Sequence, residues 1–127
     1  MRNTRQVAGG MLLAVLAASP VMLQAADATV STNVRDFMKS YVKPAEKLAK
    51  KGEAEPLRRI LAAVPAMAQA DDQAQWQVIA DKALASGDLR ASCKACHSEY
   101  KKTYKKEYRD SKVEVSAELV DYLKKAL

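Results

Sequence analysis

Apolar residues recur every three or four positions along most of the chain, in stripes separated by helix-stop residues. Val34, Phe37, Met38, Tyr41, Val42, Ala45, Leu48 and Ala49 form the first stripe and predict a helix over about 34–51. Asn33 with Asp36 three residues on is a start signal, and Gly52 after two lysines is a stop. Pro44 lies inside the pattern and is expected to bend the helix. A second helix begins at Pro56, carries Leu57, Ile60, Leu61 and Val64, and is limited by Pro65. A third begins at Asp72, with Gln75 completing a capping box; it carries Trp76, Ile79, Ala80, Ala83 and Leu84 and ends at Gly87. The fourth is expected over about 88–109. Leu89, Cys93, Cys96, His97, Tyr100, Tyr104 and Tyr108 share one face, and Lys94, Lys101, Lys102, Lys105 and Lys106 lie largely off it.

Beyond Asp110 the pattern stops. Val113 and Val115 flank a short polar stretch, and Ser116 caps a last short helix bearing Leu119, Val120, Leu123 and Leu127. No stretch reads as a strand, and there is no glycine-rich phosphate loop or internal repeat. The reading is all-α: an antiparallel four-helix bundle over about 33–109 with a short tail helix within 110–127.

The N-terminus follows a different logic. Arg2 and Arg5 precede an uncharged apolar run over 7–18, then Ser19-Pro20 and a small-residue end at Leu23-Gln24-Ala25. This is the layout of a secretory signal, with cleavage expected after Ala25 and Ala28 as a second candidate. The competing reading is a retained anchor, since a span of roughly 20 residues fits between Arg5 and Asp27. Gly9, Gly10, Ser19, Pro20 and Gln24 weaken it. The mature chain is then 26–127, without a membrane span. At 127 residues the whole sequence holds one domain and is too short for a doubly wound α/β enzyme or a barrel.

Two cysteines and one histidine carry the candidate chemistry, and all three sit in Cys93-Lys94-Ala95-Cys96-His97. C-x-x-C-H is the attachment motif of a c-type haem. Two thiols three apart on one helical turn can each add to one of the two haem vinyl groups, and His97 then binds the iron as proximal ligand. A zinc site needs four protein ligands, and this chain offers three. A thioredoxin-like dithiol expects a βαβ context. A disulfide at this spacing closes too small a loop to stabilise much. One covalently attached haem c per chain is therefore expected; attachment needs reduced thiols outside the cytoplasm, which agrees with the export signal.

A second histidine ligand from the chain is impossible, and no methionine follows His97. Met38 lies mid-stripe on the first helix and is the expected distal ligand; Met67, after Pro65, is the other mature methionine. If Met38 only packs over the iron, the iron is five-coordinate.

The upstream helices, the haem motif near the C-terminal end, and the run Gly87-Asp88-Leu89-Arg90-Ala91-Ser92-Cys93-Lys94-Ala95-Cys96-His97-Ser98-Glu99-Tyr100 resemble the class II cytochromes c, the cytochrome c′ family. The resemblance covers about residues 33–109. It implies a four-helix bundle exported to the bacterial periplasm, often as a homodimer, with Cys93 and Cys96 as thioether positions, His97 as proximal ligand and Met38 on the distal side. Family members often carry an arginine four residues before that distal position, near the haem propionates; here Arg35 is three before Met38.

Charge adds a partner. The formal net charge is +6. Residues 26–89 balance at nine basic and nine acidic side chains, whereas 90–112 hold eight basic and three acidic. The excess lies on the haem helix and would steer acidic periplasmic redox proteins; nucleic acid is excluded by export. The expected role is a periplasmic electron carrier rather than an enzyme, since no distal acid–base histidine exists. A gas-binding or gas-sensing haem protein is the alternative, and a haem subunit of a larger dehydrogenase is a third. Tyr100, Tyr104 and Tyr108 are expected to pack near the haem edge, with an electron route or a propionate hydrogen bond as the sharper role.

Overall fold

The computed structural model describes residues 28–127; the secretory signal expected over 1–25, with its cut after Ala25, lies outside the described residues. The described residues are mostly helical, with five helices and one small two-stranded sheet. Helix α1 covers 34–49, α2 Glu55–Ala63, α3 Gln73–Ser86, α4 Leu89–Glu107 and α5 Ala117–Ala126; strands β1 Thr29–Asn33 and β2 Lys112–Ser116 frame the set. No described helix is long and apolar enough to cross a membrane.

The helix ends follow the sequence signals closely. The Asn33 side chain accepts from the Asp36 N–H at 2.8 Å and donates back to its carboxylate at 2.9 Å. At the other end of α1, Glu53 N–H reaches Leu48 C=O and Gly52 N–H reaches Ala49 C=O, the paired bonds of a Schellman stop. Gly52 holds φ at 94° there, and Gly87 at 78° plays the same part after α3, which is why glycine stands at both positions. Asp88 caps α4 by accepting from the Ala91 N–H.

Pro44 acts one turn earlier than a simple bend would. It has no N–H to donate, and helix α1 widens into a π-helical stretch, Met38–Val42, closed by a bond from Lys43 N–H to Met38 C=O. The widened turn is the part of α1 that carries Met38.

Two expectations are corrected. Asp72 and Gln75 form no capping box: Asp72 is itself in helical conformation at the end of the 3₁₀ turn Ala70–Asp72, and its carboxylate is engaged elsewhere. The all-α reading also misses the antiparallel pair β1–β2, whose register sets Thr29 opposite Ser116 and Asn33 opposite Lys112. Lys112–Ser116 does alternate, with Val115 buried and its neighbours exposed, but over five residues only; β1 is almost wholly polar.

One core runs through the molecule. Phe37, Leu57, Ile60, Met67 and Leu123 are its largest fully buried side chains, joined by Trp76, Leu89, Tyr104, Val115 and Val120. The segment after Asp110 therefore supplies part of the interior. Through β2, which pairs with the strand leading into α1, it ties the start of α1 to the end of α4. At the far end, Arg90 of α4 meets Glu46 of α1 at 3.5 Å. Pinned at both ends, the two helices run in opposite directions with a gap between them.

Candidate functional site

That gap is a cleft of about 680 Å³, within the roughly 300–1,000 Å³ usual for cofactor and ligand sites. Helix α1 forms one wall through Val34, Met38 and Val42, spaced one turn apart. Helix α4 forms the other through Cys93, Cys96, His97, Tyr100, Tyr104 and Tyr108, whose three- and four-residue spacing keeps them on one face. Leu61, Val64 and Trp76 close the floor. Four residues singled out in sequence, Met38, Cys93, Cys96 and His97, thus line one cavity, with the methionine on the wall opposite the motif. Met67 does not join them; it is 2% exposed in the core.

The ionisation states follow from this setting. Cys93 and Cys96 are half-buried free thiols. Burial raises both above the ordinary thiol range, helped at Cys93 by the Glu46 charge and at Cys96 by Cys93. A dithiol poised for disulfide exchange needs the opposite shift. His97, more exposed at the edge, is pushed below the usual histidine range by burial and by Lys101, partly opposed by Glu46. Its imidazole is therefore favoured in the neutral form that can bind a metal. Among the described residues, no three His, Cys, Asp or Glu side chains converge on a common metal position.

Glu46 is held below the usual carboxylate range by the Lys50 side chain at 3.2 Å, opposed by partial burial and reinforced by Arg90. Because its folded pKa lies below the unfolded one, the stabilisation is present above the unfolded value and is lost as pH falls through the folded one. Both partners are partly solvated, so Glu46→Gln is expected to lower stability by less than about 1 kcal/mol at neutral pH. Urea unfolding at low pH, where both pairs are already discharged, should show a smaller difference.

Basic residues edge both walls. Arg35, Lys39 and Lys43 flank the cleft on α1, and Lys101 and Lys105 flank it on α4, with Arg109 just past the end of that helix. Among the described residues none of the six is ion-paired. Placing Lys101 and Lys105 largely off the cysteine face needs correction: both line the rim, while Lys102 and Lys106 do not. The positive charge also extends to α1, which the sequence-wide tally hides because acidic residues elsewhere offset it.

Two features of the floor were not read from sequence. The Tyr104 hydroxyl donates to the Asp72 carboxylate at 2.8 Å and accepts from the Gln69 N–H at 2.9 Å, fastening the 3₁₀ turn to α4. Burial, together with the Asp72 charge and against the Gln69 bond, pushes the Tyr104 phenol well above its ordinary range. Trp76 is 4% exposed, and among the described residues its indole N–H is the one buried side-chain polar atom without a partner. Trp76→Phe keeps most of the ring and removes an unmade bond, so stability should stay within about 1 kcal/mol of wild type. Trp76→Ala should cost about 3–5 kcal/mol. Equilibrium urea unfolding distinguishes the two outcomes.

No family model, curated protein or solved structure matches this chain.

Proposed function

We propose that the protein is a periplasmic monohaem c-type cytochrome of the class II kind, built on an antiparallel four-helix bundle and carrying single electrons between redox partners. The observation that carries this reading is the convergence of Met38, Cys93, Cys96 and His97 on one largely apolar cleft between α1 and α4. The donor set fits a haem better than a bare ion. With no three His, Cys, Asp or Glu side chains converging on one metal position among the described residues, a metal at His97 must bring most of its coordination with it.

When bound, the haem supplies an Fe(III)/Fe(II) couple whose potential is set by its axial ligands and its burial. Cys93 and Cys96 would hold the group through thioethers, each S–H adding across one vinyl group. His97 presents a neutral ring nitrogen. Met38, carried on the π-helical stretch, faces the motif across the cleft and would be the residue to hold the iron from that side. Val34, Val42, Leu61 and Val64 would give the group an apolar surround. The basic rim receives the two propionates, with Arg35 among the candidates, and leaves positive charge for an acidic redox partner. In this reading the export signal is removed after Ala25, which keeps the Ala28 carbonyl that accepts from the Ala117 N–H.

The test is the visible spectrum of the protein produced with export and haem-attachment machinery, before and after reduction and exposure to carbon monoxide. A covalently held, low-spin haem that resists carbon monoxide is the expected result. Ready binding to a high-spin iron would assign a gas-binding role instead, and a chain exported without covalent haem would overturn the proposal.

A further inference from the structure

Among the described residues, Tyr104 is the one tyrosine whose hydroxyl is hydrogen-bonded to protein, and its acceptor is a carboxylate. Oxidising a phenol by one electron makes its O–H strongly acidic, so the loss is easy only where a base already holds the proton. The Asp72 carboxylate, 2.8 Å away, stands in that place, and the Gln69 N–H at 2.9 Å remains to stabilise the oxygen left behind.

Tyr104 is also joined to its surroundings by ring contacts. Its centroid lies 4.9 Å from Trp76, 5.1 Å from Tyr108 and 6.2 Å from Tyr100, and Trp76 and Tyr100 are 5.7 Å apart. All four rings line the cleft. An electron leaving Tyr104 therefore has a continuous aromatic path along the wall that bears the haem motif. Simple core packing needs the rings but not the carboxylate.

From this geometry we propose that Tyr104 is a redox-active tyrosine, with Asp72 as its proton acceptor, that returns an electron to the cleft cofactor after attack by a hydroperoxide. The proposal rests on the haem reading. At an oxidised haem, in place of Met38, hydrogen peroxide would take two electrons from the group and, with two protons from solvent, leave as two waters. Tyr104 replaces one of those electrons. Its O–H bond breaks, the proton passes to Asp72, and a neutral phenoxyl radical and a protonated carboxyl remain. A small reductant of the ascorbate class then restores the tyrosine, with the proton returning from Asp72, and a second molecule of the same reductant returns the other electron to the haem group. The effect would be to divert oxidising equivalents away from the haem ring.

The experiment mixes the haem-loaded protein with hydrogen peroxide and follows the tyrosyl radical by freeze-quench paramagnetic resonance. The absorption spectrum confirms the haem load beforehand. Wild type and Tyr108→Phe are expected to give the radical. Tyr104→Phe is expected to lose it, and Asp72→Asn to slow its formation by roughly 100-fold, the low end of what a positioned proton acceptor contributes. Asp72→Glu should recover much of the rate, which a merely structural role would not do. A fully loaded wild type that forms no tyrosyl radical, or a radical that persists in Tyr104→Phe, overturns the inference and leaves the cytochrome reading standing. If Tyr104→Phe does not fold, Asp72→Asn decides, and an unchanged rate there also overturns the inference. Absence of covalent haem in wild type defeats both at once and is seen separately, in the absorption spectrum.

Discussion

Deleting residues 111–127 is expected to abolish cooperative unfolding altogether, leaving a chain without a sharp transition in urea or heat. The segment was expected from sequence to be a short tail outside the bundle. Instead it places Val115 (3% exposed), Val120 (3%) and Leu123 (0%) in the core and supplies the only partner of β1 among the described residues. Burying one such side chain contributes roughly 1.5–3 kcal/mol. Three of them match a large share of the roughly 5–15 kcal/mol that keeps a domain folded. The milder Leu123→Ala should cost about 2–5 kcal/mol while preserving a single transition. Circular dichroism against urea measures both. A deletion variant that unfolds cooperatively near the wild-type midpoint would return the segment to the status of an appendage.

Replacing both Cys93 and Cys96 by serine is expected to remove covalent haem completely. Serine matches cysteine in shape but offers no thiol to add across a vinyl group, so the two half-buried positions keep their packing and lose only the bond. Each single variant retains one attachment point and should give covalently labelled protein in lower yield. Haem staining after denaturing electrophoresis, with the intact mass of the chain, reads the result directly. Covalent haem on the double variant would falsify the role of the motif. Met38→Ala addresses the opposite wall: the spectrum should move from low to high spin and carbon monoxide should bind readily. An unchanged low-spin spectrum would remove Met38 as a ligand and leave it as packing.

How much of this was written in the sequence depends on the range over which each signal acts. Helix boundaries were legible because caps and stops work within four residues. Asn33, Gly52 and Gly87 all act where the pattern places them. The alignment of Cys93, Cys96, His97 and the tyrosines on one face follows from helical spacing alone. That Met38 comes to face them was not readable from spacing, because it depends on how α1 and α4 are joined. The joints, β1 with β2 and Glu46 with Arg90, link residues far apart in the chain. The strands were missed for the same reason: a five-residue polar strand has no pattern of its own and is defined by its partner. Asp72 shows the complementary failure. Its local signal, a capping box, was sound chemistry, yet the Tyr104 hydroxyl took the carboxylate instead.

The β1–β2 pair has a further consequence for the order of folding. Thr29 Oγ1 donates to the Glu114 carboxylate across 85 positions of sequence, so the pairing of β1 with β2 joins one of the earliest described residues to one near the end. Contacts of such long range form late, because the intervening chain must first be brought together. A chain that emerges N-terminus first holds β1 unpaired until residues 112–116 follow. Helices α2, α3 and α4 can meet before then, but the mouth between α1 and α4 stays ajar. Timing thus supplies an interval in which the two cysteines are more open to the outside than in the finished cleft, ended by the arrival of the last strand.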